Sequence, residues 1–244
     1  MKSMANELSK NSPSKVTESN LHIYLQNVIS SIESFLESQN RLLVITGMIG
    51  TCLSDLIPII QDLNQVNNLV LAPNRRIASR YSVRANSVRA NSIYTHIYSS
   101  TPKLEPDALV YKLKVNQDSD NQVYILGDAH LISDSQFESD NIKYGSGHLL
   151  SDFFSFINLH KSSRKVILIG DPFQLRRGVL SESSLYIEKL KELTGYSSSH
   201  INLENFLPNQ ESNLFVRNYL NIVQSIEAER FNNLQIMALL GSWG

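Results

Sequence analysis

Gly47, Gly50, Thr51 and Ser54 share one short stretch, Gly47-Met-Ile-Gly-Thr-Cys-Leu-Ser54. Glycines and a terminal hydroxyl in a turn suit phosphate. Backbone N–H groups can converge where no Cβ intervenes, and the hydroxyl can reach a phosphate-bound cation. The complete pattern is a glycine, four residues, a second glycine, a lysine, then serine or threonine. Gly47 and Ser54 are in register with it, but Cys52 stands at the second glycine and Leu53 at the lysine. The frame of a nucleotide site is present without its main positive charge. Each lost charge-assisted bond is worth about 1.5–3 kcal/mol. Cys52 also adds a Cβ where backbone must approach phosphate, and is otherwise a small apolar residue.

Two further groups carry polar chemistry. Gly127-Asp-Ala-His130 offers Asp128 to a metal ion or a proton, and Gly170-Asp-Pro-Phe-Gln-Leu175 offers Asp171 and Gln174. The plainer readings are a polar strand end for Asp128 and His130, and a capped turn for Asp171 and Gln174. A third feature is basic: no Asp or Glu lies between Asp62 and Glu105, while Arg75, Arg76, Arg80, Arg84 and Arg89 do. Such a face can track phosphates, with Tyr94, His96 and Tyr98 available to stack on bases. Its plainer reading is a solvated helix over core tyrosines.

The elements that must position these groups are legible from periodicity. Leu25, Ile29, Ile32, Phe35 and Leu36 recur at helical spacing, predicting a helix from Leu21 to about Ser38. Arg41–Thr46 reads as a buried strand, followed by the glycine turn and a helix over Cys52–Leu63, with Pro58 near its first turns. Asn68–Pro73 is a second short strand, followed by an arginine-rich helix. That helix runs into a tandem repeat, Ser82–Asn86 and Ser87–Asn91, which is too short for a solenoid and reads as a local lengthening. Ser92–Tyr98 is β-prone. Ala108–Val115 and Gln122–Leu126, across a polar turn, read as a hairpin. Leu149–Asn158 is an apolar helix and Lys165–Ile169 a buried strand; helices are predicted around Ser184–Leu193 and Asn213–Glu229. Short apolar strands alternating with helices imply a parallel sheet covered on both faces, with ligands at the strands' carboxyl ends. The three polar motifs all follow strands, so they are expected to converge on one edge.

The 244 residues are 42% hydrophobic with a net charge of -1, enough for a sizeable core and too balanced for a whole-protein field toward nucleic acid or membrane. The single cysteine excludes an intramolecular disulfide and a cysteine zinc cluster. Met1–Asn20 is polar and serine-rich, neither secretory signal nor anchor, which makes the cytoplasm the expected location. Leu42–Ile60 is apolar enough to resemble a membrane span, but Gly47, Gly50, Asp55 and Pro58 divide it, so no membrane partner is expected.

Taken in order, Gly47–Ser54, Leu71–Arg76, Ser92–His96, Val123–His130, Tyr144–Leu150 and Ile169–Leu175 resemble the motif series of a superfamily 1 helicase. The likeness is to the first RecA-like domain of bacterial UvrD/RecD-like DNA/RNA helicases and spans roughly residues 20–240. It implies an α/β RecA-like P-loop NTPase fold, a parallel sheet with helices on both faces. It also implies ATP and magnesium in the cleft and single-stranded nucleic acid across the top. By the same resemblance Gly47, Gly50, Thr51 and Ser54 would face the nucleotide, and Ser54 and Asp128 the metal. Asp128 and Gln174 would carry hydrolysis and its coupling; Arg75, Arg76, Thr95 and His96 would contact nucleic acid.

The departures are as informative. The family's Asp-Glu-Ala-His motif reads Gly127-Asp128-Ala129-His130 here, so the metal-orienting aspartate is Gly127 and the catalytic glutamate is Asp128, one methylene shorter. Losing one preorganised catalytic group costs about a hundred- to a thousandfold. Asn209 stands where the family often has an arginine that touches the γ-phosphate. Residues 1–19 are expected to be a disordered tail and 20–244 a single RecA-like domain, the second one being absent from this chain. The sequence thus reads as a degenerate helicase-like domain, a pseudo-ATPase that binds nucleic acid or a protein partner. The alternatives are a nucleic-acid-stimulated ATPase completed by a partner chain, with Arg176 or Arg177 in play, and a remnant without activity.

Overall fold

The computed structural model describes residues 14–47, 53–63, 67–84, 89–106, 108–137, 139 and 141–203. In chain order the elements are α1 (Ser14–Glu37), β1 (Leu42–Thr46), α2 (Leu53–Leu63), β2 (Asn68–Ala72), α3 (Arg75–Arg84), β3 (Ala90–Ser92), α4 (Ile93–Ile97), β4 (Lys103–Glu105), β5 (Ala108–Tyr111), β6 (Val123–Leu126), β7 (Ile142–Tyr144), α5 (Leu149–Ile157), β8 (Lys165–Gly170), α6 (Ile187–Thr194) and β9 (Ser198–Asn202).

Continuous apolar runs make strands covered on both sides, and β1 and β6 are buried at every position. They lie in a six-stranded sheet of order β3-β2-β6-β8-β1-β9, parallel throughout. Leu42 pairs with Val166 and Ser198, and Thr46 with Gly170 and Asn202. The period of two sends alternate side chains to opposite layers. Leu43 and Ile45 join Ile32 and Phe35 of α1, Ile57 and Ile60 of α2, and Ile77 and Tyr81 of α3. Leu42 and Val44 join Ile93 and Ile97 of α4, Leu150, Phe153 and Ile157 of α5, and Leu190 of α6. The expected α/β fold with helices on both faces is therefore what the chain forms. Lys165 ties α1 to the sheet: its ammonium donates to the carbonyls of Phe35 (2.7 Å) and Ser38 (2.6 Å) at the helix end. Burial, with Arg41 beside it, holds that amine below its usual range.

Several local expectations change. α1 begins at Ser14, ahead of Leu21, so part of the expected 1–19 tail is helical. Once the apolar segment nucleates the helix, extending it through residues free of Gly and Pro costs little. Ser92–Tyr98 is helical rather than extended over Ile93–Ile97, because Ile93 and Ile97 bury one helical turn apart against the sheet. The expected hairpin is absent: β5 and β6 belong to different sheets. β5 pairs antiparallel with β4 and parallel with β7 in a small second sheet, and Tyr98 bridges Leu113. Arg164 fixes the intervening turn by donating to the carbonyls of Ser119, Ile157 and Asp118 at 2.6–3.0 Å. Residues 85–88 of the tandem repeat, the predicted helix at Asn213–Glu229, and Asn209 lie outside the described residues.

The small sheet is joined to the main body by aromatic rings. Tyr144 stacks on Tyr111 (4.8 Å) and meets Tyr94 and Phe137 edge-on (4.9 and 5.5 Å). Buried Tyr98 donates to Asp152 Oδ2 (2.7 Å), which also receives the Ser146 N–H at 3.0 Å. Burial, then the bonded carboxylate, pushes the Tyr98 phenol far up. Gly145 has φ +48°, and an added Cβ would run into Asp152 and into Tyr98 Cε1 at 2.8 Å. Glycine is required there both by the backbone and by the space.

Candidate functional site

β8 lies between β1 and β6, so the segments after these strands meet on one side of the sheet. Gly47 N–H donates to the Gly170 carbonyl (3.4 Å), placing the start of the glycine turn beside the end of β8. Gly170 in turn sits against the chain after β6: a Cβ there would lie 2.9 Å from the His130 nitrogen and 3.2 Å from that of Ala129. The expected convergence of Gly47, Asp128 and Gly170–Leu175 is thus present. Gly50 and Thr51 lie outside the described residues; Ser54 is at the start of α2, and its side chain is likewise not described.

Asp128 adopts the left-handed conformation, φ 46° and ψ 42°. This is uncommon for a residue with a Cβ but most tolerated in Asp and Asn. Its Oδ2 accepts the Tyr81 hydroxyl proton at 2.7 Å and lies 3.7 Å from Arg80 Nη2. Both partners come from α3, so the carboxylate after β6 is bound to the helix that follows β2. Gly127 provides no second carboxylate. A Cβ added there would collide with the Tyr81 hydroxyl and come within 2.7 Å of Tyr81 Cζ and Ile57 Cδ1.

Magnesium needs oxygen ligands in a tight octahedron at about 2.0–2.1 Å. The residues at the end of β6 do not fit that requirement: Gly127 brings no carboxylate, its space holds a phenol, and Asp128 Oδ2 is already bonded to Tyr81. Among the described residues, no group of three or more His, Cys, Asp or Glu is placed to hold a metal ion.

His130 is 4% exposed, and its Nδ1 accepts the Asp171 N–H at 3.4 Å. Burial lowers its pKa, against the opposing pull of Asp128 and Asp171. It is a neutral ring that bridges the segments after β6 and β8. Asp171, 2% exposed, accepts from Phe173 N–H (2.9 Å) and from Gln174 Nε2 (3.1 Å). Gln174 therefore closes its own turn. Arg177 also belongs to this loop, with its guanidinium 4.9 Å over the Phe137 ring and 3.3 Å from the Tyr94 hydroxyl.

The basic face is built on α3. Asn74 caps it by accepting the Ile77 N–H on Oδ1 (3.0 Å). Arg75, Arg76 and Arg80 are exposed, while Ile77, Ala78 and Tyr81 are buried. A groove of about 450 Å³ runs beside it, lined by Arg75, Ser79, Ser82, Asn91, Ser92 and Thr95 among others. Thr95 donates its hydroxyl to the Ser92 carbonyl (3.0 Å). His96 is turned away from this face: its Nε2 lies 2.8 Å from Asp118 Oδ2, which also accepts from Tyr124 (2.7 Å). Its ring meets Phe156 edge-on at 5.4 Å. Arg75 and Thr95 line one groove, Arg76 is exposed next to Arg75 on α3, and His96 anchors α4 through Asp118.

Tyr81, which bonds Asp128 and fills the space at Gly127, is the contact that the sequence reading missed. A signal existed: glycine in place of a buried carboxylate leaves a volume that close packing must fill, and Tyr81 lies on the apolar side of α3 with Ile77.

The strand order, with β8 inserted between the strand of the glycine turn and that of Asp128, decides the architecture. This is a RecA-like fold. No protein-family model and no curated protein matches the chain. Among solved structures it is similar to Bacteroides Pif1 bound to ssDNA (14% identity, TM-score 0.47, 86% of this chain and 46% of that one). It is also similar to Bacteroides sp Pif1 in complex with ADP-AlF4 (12%, TM-score 0.46, 84% and 46%). A third is a structure of two coordinating Pif1 helicases at forked dsDNA (12%, TM-score 0.43, 73% and 43%). The chain spans less than half the length of each. Among the described residues no helix is long and apolar enough to cross a membrane.

Proposed function

We infer that this chain is a degenerate superfamily 1 helicase-like domain that binds single-stranded nucleic acid on its α3 face and hydrolyses ATP weakly or not at all. The observation that carries the reading is the state of Asp128. Its carboxylate is bonded to Tyr81 and Arg80, no second carboxylate stands beside it, and Leu53 replaces the donor that would hold phosphate. Nucleic-acid binding is supported by Arg75, which lines the groove with Thr95, and by exposed Arg76 next to it on α3. Phosphates would be met by guanidinium groups and hydroxyls, without base-specific donors, so the contact reads backbone rather than sequence. A partner protein is the complementary proposal: Leu175 is 91% and Val179 61% exposed on the loop after β8.

Binding of a labelled oligothymidylate, followed by fluorescence anisotropy, tests the reading. Micromolar affinity that weakens with salt is expected; no binding at low salt refutes it. The second reading, an ATPase completed by a partner chain, is favoured by the intact Asp171–Gln174 turn. It requires Gln174→Ala to abolish a nucleic-acid-stimulated activity. Activity unaffected by Gln174→Ala removes that reading.

A further inference from the structure

We propose that Tyr81 seals the metal position of this cleft: it fills the space of the absent carboxylate at Gly127 and takes over Asp128. The inference rests on reading the cleft as degenerate and states what replaced its metal. Three observations meet at one point. The space in front of Gly127 holds the Tyr81 hydroxyl, with Tyr81 Cζ and Ile57 Cδ1 at 2.7 Å from where a Cβ would stand. Tyr81 is 7% exposed, so its ring is packed on nearly every side. Its hydroxyl is held by Asp128 Oδ2 at 2.7 Å, so displacing the ring also breaks that bond.

The consequence is a coupled pair. A carboxylate restored at Gly127 would have to push Tyr81 aside, and a smaller residue at 81 leaves the cleft one carboxylate short. Reversion therefore needs both changes. The same bond gives the cleft a mechanical role without an ion. Asp128 stands at the end of β6, and Tyr81 and Arg80 stand on the helix that carries the exposed arginines. A metal would link the strand end to a nucleotide; here the link runs to the basic face.

The test is manganese binding, read by electron paramagnetic resonance, on the full chain and three variants: Gly127→Asp, Tyr81→Ala and the two combined. The natural chain and both single variants are expected to bind Mn²⁺ equally weakly, and the double variant about ten- to a hundredfold more tightly. Gly127→Asp binding as tightly as the double variant overturns the proposal, as does a folded double variant no tighter than the natural chain. If Gly127→Asp does not fold, Gly127→Ala reads the same packing. It should lower Tm more in the natural background than with Tyr81→Ala, where only Ile57 Cδ1 remains in its way; equal losses in both overturn the proposal. Oligothymidylate binding by the same proteins separates the two readings. A failed seal with binding intact refutes this inference alone, whereas a verified seal without binding refutes the functional reading alone.

Discussion

Replacing Arg75 and Arg76 with alanine should weaken single-stranded nucleic-acid binding in a manner that salt dependence can quantify. Both side chains are exposed at the start of α3 beside the groove, whereas Arg80 is partly committed to Asp128. Each phosphate neutralised on a single strand contributes about -0.7 to the slope of log K against log salt. If each arginine meets one phosphate, the double variant should have a slope shallower by about 1.4. Between 50 and 200 mM salt the natural chain should then lose about sevenfold more affinity than the variant (0.6 log units of salt multiplied by 1.4). Anisotropy titrations of a labelled oligothymidylate across that salt range measure the slope directly. Neither residue lies in the core, so stability should change by no more than the roughly 0.5 kcal/mol typical of surface changes. An unchanged slope with unchanged fold would show that the phosphates lie elsewhere, and the α3 face would lose its assignment.

Other expectations follow from single contacts. Tyr81→Phe removes the donor to Asp128, a bond to a charged group worth about 1.5–3 kcal/mol, reduced toward the lower figure because Asp128 is partly exposed. A Tm lower by about 3–6 °C is expected in a thermal melt, and an unchanged Tm counts against the bond. His130 and His200 are both held below their ordinary pKa by burial. The unfolded chain therefore takes up protons first. Stability should be full above about pH 6.5 and fall as pH drops below it, with His130→Gln flattening the decline in denaturant midpoints. Gly145→Ala should cost more than the roughly 1–2 kcal/mol of a left-handed Cβ, because Tyr98 and Asp152 occupy the space. Tyrosine fluorescence should report loosening around Tyr144, and a native spectrum with native Tm would contradict the packing.

The centre of the main sheet was legible because three of its strands are short, largely apolar runs: Leu42–Thr46, Val123–Leu126 and Lys165–Gly170. The convergence of Gly47, Asp128 and Asp171 followed from their shared position after parallel strands. β9 was not legible, since Ser-Ser-His-Ile-Asn has no apolar run and becomes a strand only by lying along β1. Nor was the second sheet. Its three-residue β4 and β7 are too short for any period, and β5 took its partners from them instead of from β6. His96, expected beside nucleic acid, instead places its Nε2 against Asp118, which only the fold brings beneath it. Gly127 could be read as a missing carboxylate, but that Tyr81 fills its place depends on a helix packing across the end of β6.

The most direct test of the account is single-turnover ATP hydrolysis by the purified chain, with magnesium and saturating oligothymidylate, after nucleic-acid binding has been measured on the same preparation. The account predicts binding to the oligonucleotide and hydrolysis that is far below about 1 s⁻¹ or at the protein-free background, as expected with Asp128 held by Tyr81 and no carboxylate at Gly127. Hydrolysis at about 1 s⁻¹ or faster, within the ordinary range of enzymes, would contradict it.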